Sequence, residues 1–78
     1  MNQTLAQRMG KVVRSFRVEA GLSQEELAAR CGLHRTYIGS IERGEKTITI
    51  ETVHKLAKAF GISMTQLFEC LERSESEL

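Results

Sequence analysis

The chain has 78 residues, with 11 basic and 10 acidic side chains, two cysteines, and neither proline nor tryptophan. This length allows one domain with a small core, leaves no room for a deep substrate pocket beside it, and makes a second copy of the chain an economical source of extra apolar burial. No run approaches the ~20 apolar residues of a membrane span and the amino terminus lacks a signal-peptide pattern, so the expected location is cytoplasmic with no membrane partner.

The net charge of +1 is unevenly spread: residues 69–78 hold Glu69, Glu72, Glu75 and Glu77 against Arg73, so the rest of the chain is distinctly basic. A local positive surface suits a nucleic-acid partner better than the overall charge suggests.

A first helix is predicted over residues 4–20. Leu5, Met9, Val12, Val13, Phe16 and Ala20 recur at helical spacing, opposite Arg8, Lys11 and Arg14. Gly21 stands where a left-handed cap ends such a helix. Ser23 followed by Glu26 is a capping-box signature, starting a second helix at Gln24 that runs to about Cys31. Gly32 supplies the turn, Leu33 plugs the angle, and His34 marks a weak boundary for a third helix over about 35–42. Gly44 ends it.

The TITI segment at 47–50 alternates β-branched residues, but no second convincing strand exists to pair with it. It is read as an extended loop that drops Ile48 and Ile50 into the core. A fourth helix over about 51–60 presents Val53, Leu56, Ala57 and Phe60 before Gly61. Ser63 caps a fifth over about 64–72, where Met64, Leu67, Phe68 and Leu71 repeat at i, i+3, i+4 and i+7. Residues 1–3 and 73–78 are expected to be flexible. The fold class is therefore all-α, one domain over residues 1–78.

Cys31 and Cys70 belong to no C-x-x-C pair and read as reduced core thiols. His34 and His54 lack carboxylate or thiol partners at ligand spacing, and no nucleophile–base arrangement appears. No metal, cofactor or enzymatic activity is expected.

Two short helices joined at Gly32 form a helix-turn-helix pattern, whose second helix fits the major groove of B-form DNA. Arg35 and Thr36 occupy its N-terminal end. Arginine can donate two hydrogen bonds to guanine O6 and N7, while threonine can bond a base edge or touch a thymine methyl. Ser40 shares the face of Thr36 one turn on, and Gly39 removes any side chain beside it. Tyr37 either contacts a phosphate or base step, or packs its ring across the helices with its hydroxyl in water. Phosphate contacts are expected from Gln24 in the first turn of the second helix, from His34, and from Arg43, Lys46 and Thr47 beyond the third. The last group reads equally as solvated surface residues.

GLSQEELA at 21–28, the glycine at 32, YI at 37–38 and IERG at 41–44 resemble the Cro/C1-type (XRE) helix-turn-helix family over about residues 8–70. The resemblance implies a five-helix lambda-repressor-like DNA-binding domain. It implies that Gln24 binds phosphate, that Arg35, Thr36 and Ser40 read bases, and that Arg17 and Glu42 form a salt bridge tying the first helix to the end of the third. The short chain with HRTYI followed by IERG is most similar to the controller proteins of restriction-modification systems. From that similarity follow a homodimer formed through the fifth helix, binding to paired double-stranded operators, and activation at low concentration giving way to repression at high. Family members often carry serine at the position of Gly39; here the serine comes one residue later, so Gly39 offers no side-chain contact.

Leu67, Phe68 and Leu71 are the candidate dimer residues. Glu25 and Glu26 are candidates for a contact with RNA polymerase, against the simpler reading that acids belong in a helix's first turn. Two other functions fit the same pattern: a phage- or plasmid-type repressor, and an antitoxin-like module that binds a partner protein.

Overall fold

A computed structural model describes residues 3–76, with side chains through Ser74. Five helices follow one another: α1 (Leu5–Glu19), α2 (Gln24–Cys31), α3 (Arg35–Glu42), α4 (Ile50–Phe60) and α5 (Met64–Ser76). No strand occurs among the described residues, and the 47–49 segment is extended loop.

Short polar motifs set the helix starts. Thr4 Oγ1 accepts from the Gln7 amide at 3.1 Å while Gln7 Oε1 accepts from the Thr4 amide at 2.9 Å. Ser23 with Glu26 and Ser63 with Gln66 repeat this reciprocal box at α2 and α5. Thr49 Oγ1 accepts from the Thr52 amide and starts α4 one residue earlier than expected. Gly32 ends α2 at φ +69°, a conformation that costs any residue with a Cβ, and turns the chain sharply into α3. His34 makes no side-chain cap, so α3 begins uncapped.

The core is one cluster drawn from all five helices, with Val13, Leu27, Ile38, Ile41, Leu56 and Leu67 fully enclosed. Phe16 and Phe60 stack at its edge with ring centroids 5.3 Å apart. α1 packs across α3 and α5, and α2 packs against α3 and α4. The α1–α3 crossing is close because Gly10 has no side chain: a Cβ there would lie 2.7 Å from the Glu42 carbonyl oxygen. Cys31 is buried, and burial pushes its thiol pKa up. Cys70 is only half-buried, and both thiols are free.

Several expectations are corrected. Ile50 is 61% exposed and Leu5 60%, so neither joins the core. Thr49 takes the capping position, which places Ile50 at the first helical position facing solvent. Ala20 is exposed as well. Arg8 does not lie opposite the core. It is half-buried, and its Nη2 approaches the Leu71 carbonyl oxygen at 3.5 Å. α5 runs to Ser76 instead of ending near 72; the expected flexibility of residues 1–2 and 77–78 falls outside the described residues.

Leu67 was a candidate for dimer contact, but it is 0% exposed and packs wholly within its own core. Enclosing a leucine this way contributes about 1.5–3 kcal/mol to folding of the single chain, and leaves nothing for a partner to touch. Leu71 is almost as enclosed, at 6%. Phe68 is half-buried.

Candidate nucleic-acid interface

The turn at Gly32 sets α3 across α2 so that one face of α3 is buried through Ile38 and Ile41 while the other meets solvent. Arg35 and Thr36 are exposed on its first turn. Together with Gln24, Gly39, Ser40 and Arg43 they line a shallow open cleft of about 240 Å³. Five of the sequence-proposed DNA-contacting residues therefore converge on one surface, although they come from two helices and the end of α3. Ser40 Oγ donates to the Thr36 carbonyl oxygen at 3.0 Å, a local bond that leaves its hydroxyl oxygen able to accept from elsewhere.

Other proposed residues lie apart from that cleft. Tyr37 is half-buried, its ring packed against the core. His34 is exposed just before α3. Lys46 and Thr47 belong to a different surface, an apolar groove of about 270 Å³ between the 46–50 segment, α1 and α5, which Leu5, Ile48, Ile50, Phe68 and Leu71 also line.

Polar partners hold the cleft in place. Glu42 Oε2 accepts from Arg17 Nε at 2.6 Å, and Oε1 accepts from both Arg17 Nη2 and Gln24 Nε2 at 3.1 Å. The ion pair implied by family resemblance is thus present, and it raises the Arg17 pKa above its ordinary value. Gln24 is oriented through the same carboxylate. Arg43 is paired with Glu45, Nε to Oε2 at 2.8 Å and Nη2 to Oε1 at 3.2 Å. Hydrogen bonding to Glu45 raises the arginine pKa, and hydrogen bonding to Arg43 lowers the carboxyl pKa.

Glu25 is exposed at the start of α2. Glu26 is also exposed, but its Oε1 accepts from the Ser23 amide at 2.9 Å, so it is engaged in capping. That bond lowers its pKa. Four residues were not given these places from sequence: Gly10, Glu45, and Leu5 and Ile50 as surface residues. Gly10 had a usable signal, a glycine interrupting an apolar helical stripe. Glu45 had none, because pairing two residues apart across the end of a helix depends on the loop's path.

No group of three or more metal-ligating side chains gathers among the described residues, and none of their helices is long and apolar enough to cross a membrane. A helix-turn-helix family model matches residues 13–67. Control protein C.SmaI of Serratia marcescens is 54% identical over 55 residues, covering 70% of this chain and 66% of the relative. Control protein C.BamHI of Bacillus amyloliquefaciens is 41% identical over 61 residues, covering 77% of this chain and 75% of the relative. The restriction-modification controller protein C.Esp1396I superposes with a TM-score of 0.89 at 31% identity, covering 99% of this chain and 100% of its own. That controller has also been solved as a tetramer in complex with its natural 35 base-pair operator. With its capped α2, its glycine turn and an exposed α3 face set as such a reader requires, the chain belongs to the Cro/C1-type helix-turn-helix family of DNA-binding transcriptional regulators.

Proposed function

We propose that this chain is the controller protein of a restriction-modification system, a cytoplasmic homodimer that binds paired operators upstream of its own gene, first activating and then repressing. The observation that carries this reading is the cleft on α3, where Gln24, Arg35, Thr36, Ser40 and Arg43 converge on one exposed face. With α3 in the major groove, Arg35 donates to guanine O6 and N7, while Thr36 and Ser40 contact neighbouring base edges. Gln24 and Arg43 grip phosphates on either side and fix the register. His34, Lys46, Thr47 and the Tyr37 hydroxyl supply further backbone contacts. The activity is binding alone, with no catalytic step.

A second copy would dock on the groove where Leu5 and Ile50 stand exposed beside Phe68 and Leu71. Exposed apolar side chains around an apolar cleft are a common mark of self-association. The tetramer that C.Esp1396I forms on its operator supports two dimers filling adjacent sites. Glu25, free of the capping bond that engages Glu26, is the better candidate for a polymerase contact.

A footprinting titration on the DNA upstream of the gene, with wild type and Arg35→Ala in parallel at fixed salt, tests the proposal. Two sites filling in sequence, both lost in the variant, support it. Protection no better than on random DNA would sink it, and a reporter that only falls as protein rises would favour a plain repressor.

A further inference from the structure

Arg43 faces two ways. Its Nε and Nη2 edge is taken by both oxygens of Glu45, at 2.8 and 3.2 Å, with the two side chains 60% and 55% exposed. Its Nη1 turns back over α3: a Cβ on Gly39 would lie 3.1 Å from Nη1 and 3.6 Å from Gln24 Oε1. The bare backbone of Gly39 therefore provides the space in which the guanidinium lies beside Gln24, inside the cleft that also holds Arg35, Thr36 and Ser40. The edge occupied by Glu45 is one of the two with which a guanidinium can grip a phosphate in a two-bond fork, the other being formed by Nη1 with Nη2. One edge cannot serve two anions at once.

We propose that Glu45 is a built-in competitor for phosphate on Arg43, an intramolecular anion that a DNA phosphate displaces from the Nε–Nη2 edge and that lowers the affinity and the salt dependence of binding. This rests on reading the α3 cleft as the DNA-binding surface. The charged groups acting on Glu45 are Arg43 and its neighbour Lys46, so displacement leaves a carboxylate flanked by one cation and close to the DNA backbone. An exposed pair is only weakly held, which lets a phosphate take its place. It still subtracts from binding, because one cation arrives already neutralised. Gly39 and Glu45 thus act on the same arginine from opposite sides, one making room for it and the other occupying it.

The test uses the full chain as wild type, Glu45→Gln, Arg43→Gln and the double variant. Each is titrated onto the upstream operator duplex and onto a random duplex of equal length, over about 50–200 mM salt. Glu45→Gln is expected to tighten binding to both duplexes about two- to fivefold at low salt. It should steepen the plot of log K against log salt by about one unit, and have no effect in the Arg43→Gln background. Melting curves should be unchanged, since both side chains are exposed. Weaker binding by Glu45→Gln would overturn the proposal by showing that Glu45 presents Arg43 to DNA. Equal tightening with and without Arg43 would overturn it as a diffuse charge effect, and unchanged affinity would remove the competition altogether. If wild type prefers the operator no better than random DNA, the controller reading fails, while the four proteins on random duplex still decide the role of Glu45. Binding to neither duplex overturns both.

Discussion

Glu42 and Arg17 meet through both carboxylate oxygens, at 2.6 and 3.1 Å, with side chains only 5% and 13% exposed. The same arginine donates from Nη1 to the Leu22 carbonyl oxygen at 2.9 Å, and Glu42 Oε1 also accepts from Gln24. One pair therefore joins α1, the turn before α2 and the end of α3. Replacing Arg17 with Met strands a carboxylate that water scarcely reaches. A loss of about 2–3 kcal/mol is expected, below the range for a fully buried pair because this one lies near the surface. Urea unfolding should show it, and a loss under about 0.5 kcal/mol would make the pair an ordinary surface bridge.

Gly10→Ala and Gly39→Ala should move stability in opposite directions, though both glycines are helical. A Cβ at Gly10 would meet the backbone of Glu42, with the carbonyl oxygen at 2.7 Å and its carbon at 2.9 Å. The crossing of α1 over α3 must open, and a net loss of about 1–2 kcal/mol is expected after the gain in helix propensity. A Cβ at Gly39 is tight only against the far end of Arg43, at 3.1 Å, and makes an ordinary contact with Gln24 Oε1 at 3.6 Å. That flexible end can move, so Gly39→Ala should gain up to about 1 kcal/mol while displacing the guanidinium and weakening DNA binding. Thermal melts of the two variants side by side decide the matter.

Arg35 is exposed on the first turn of α3. Arg35→Ala should leave the melting temperature unchanged yet cut discrimination between operator and random duplex by about 1–3 kcal/mol. Competition binding reads this directly. Equal loss on both duplexes would assign Arg35 to phosphate instead of base.

Ile50 stands at the first position of α4, where an acid is favoured by the helix dipole. Ile50→Glu should therefore keep the single chain folded while separating the proposed dimer. Sedimentation equilibrium at micromolar concentration is expected to show a monomer. A dimer that persists would move the interface off the Leu5–Ile50 groove.

The capping box of α2 carries a pH signature. The Glu26 pKa is lowered, chiefly by its hydrogen bond with the Ser23 backbone, so its contribution is complete above the unfolded carboxyl's ordinary pKa. It is lost as pH falls through the lowered folded value. Glu26→Gln keeps an acceptor oxygen that does not titrate, as Gln66 already does for Ser63. The variant should unfold with a slightly shallower dependence on acid than wild type. Identical acid titrations of stability would show that the box does not contribute.

Helix starts and stops were legible in the chain because they depend on neighbours three or four residues apart. Ser23 with Glu26, Ser63 before Met64 and glycines at 32 and 61 each specify their ends locally. The helix-turn-helix and its exposed Arg35 and Thr36 follow from the same short-range pattern. Periodicity marks an apolar face without saying what covers it, so Leu67 and Ile50 were indistinguishable as apolar residues. Only packing showed one enclosed in the core, on a helix that packs against α1 and α4, and the other facing water. The tertiary structure likewise decided the closeness of α1 to α3 at Gly10, the sharing of Glu42 between Arg17 and Gln24, and the pairing of Arg43 with Glu45. Each depends on where a loop or a distant helix brings a side chain, a distance that spacing along the chain does not encode.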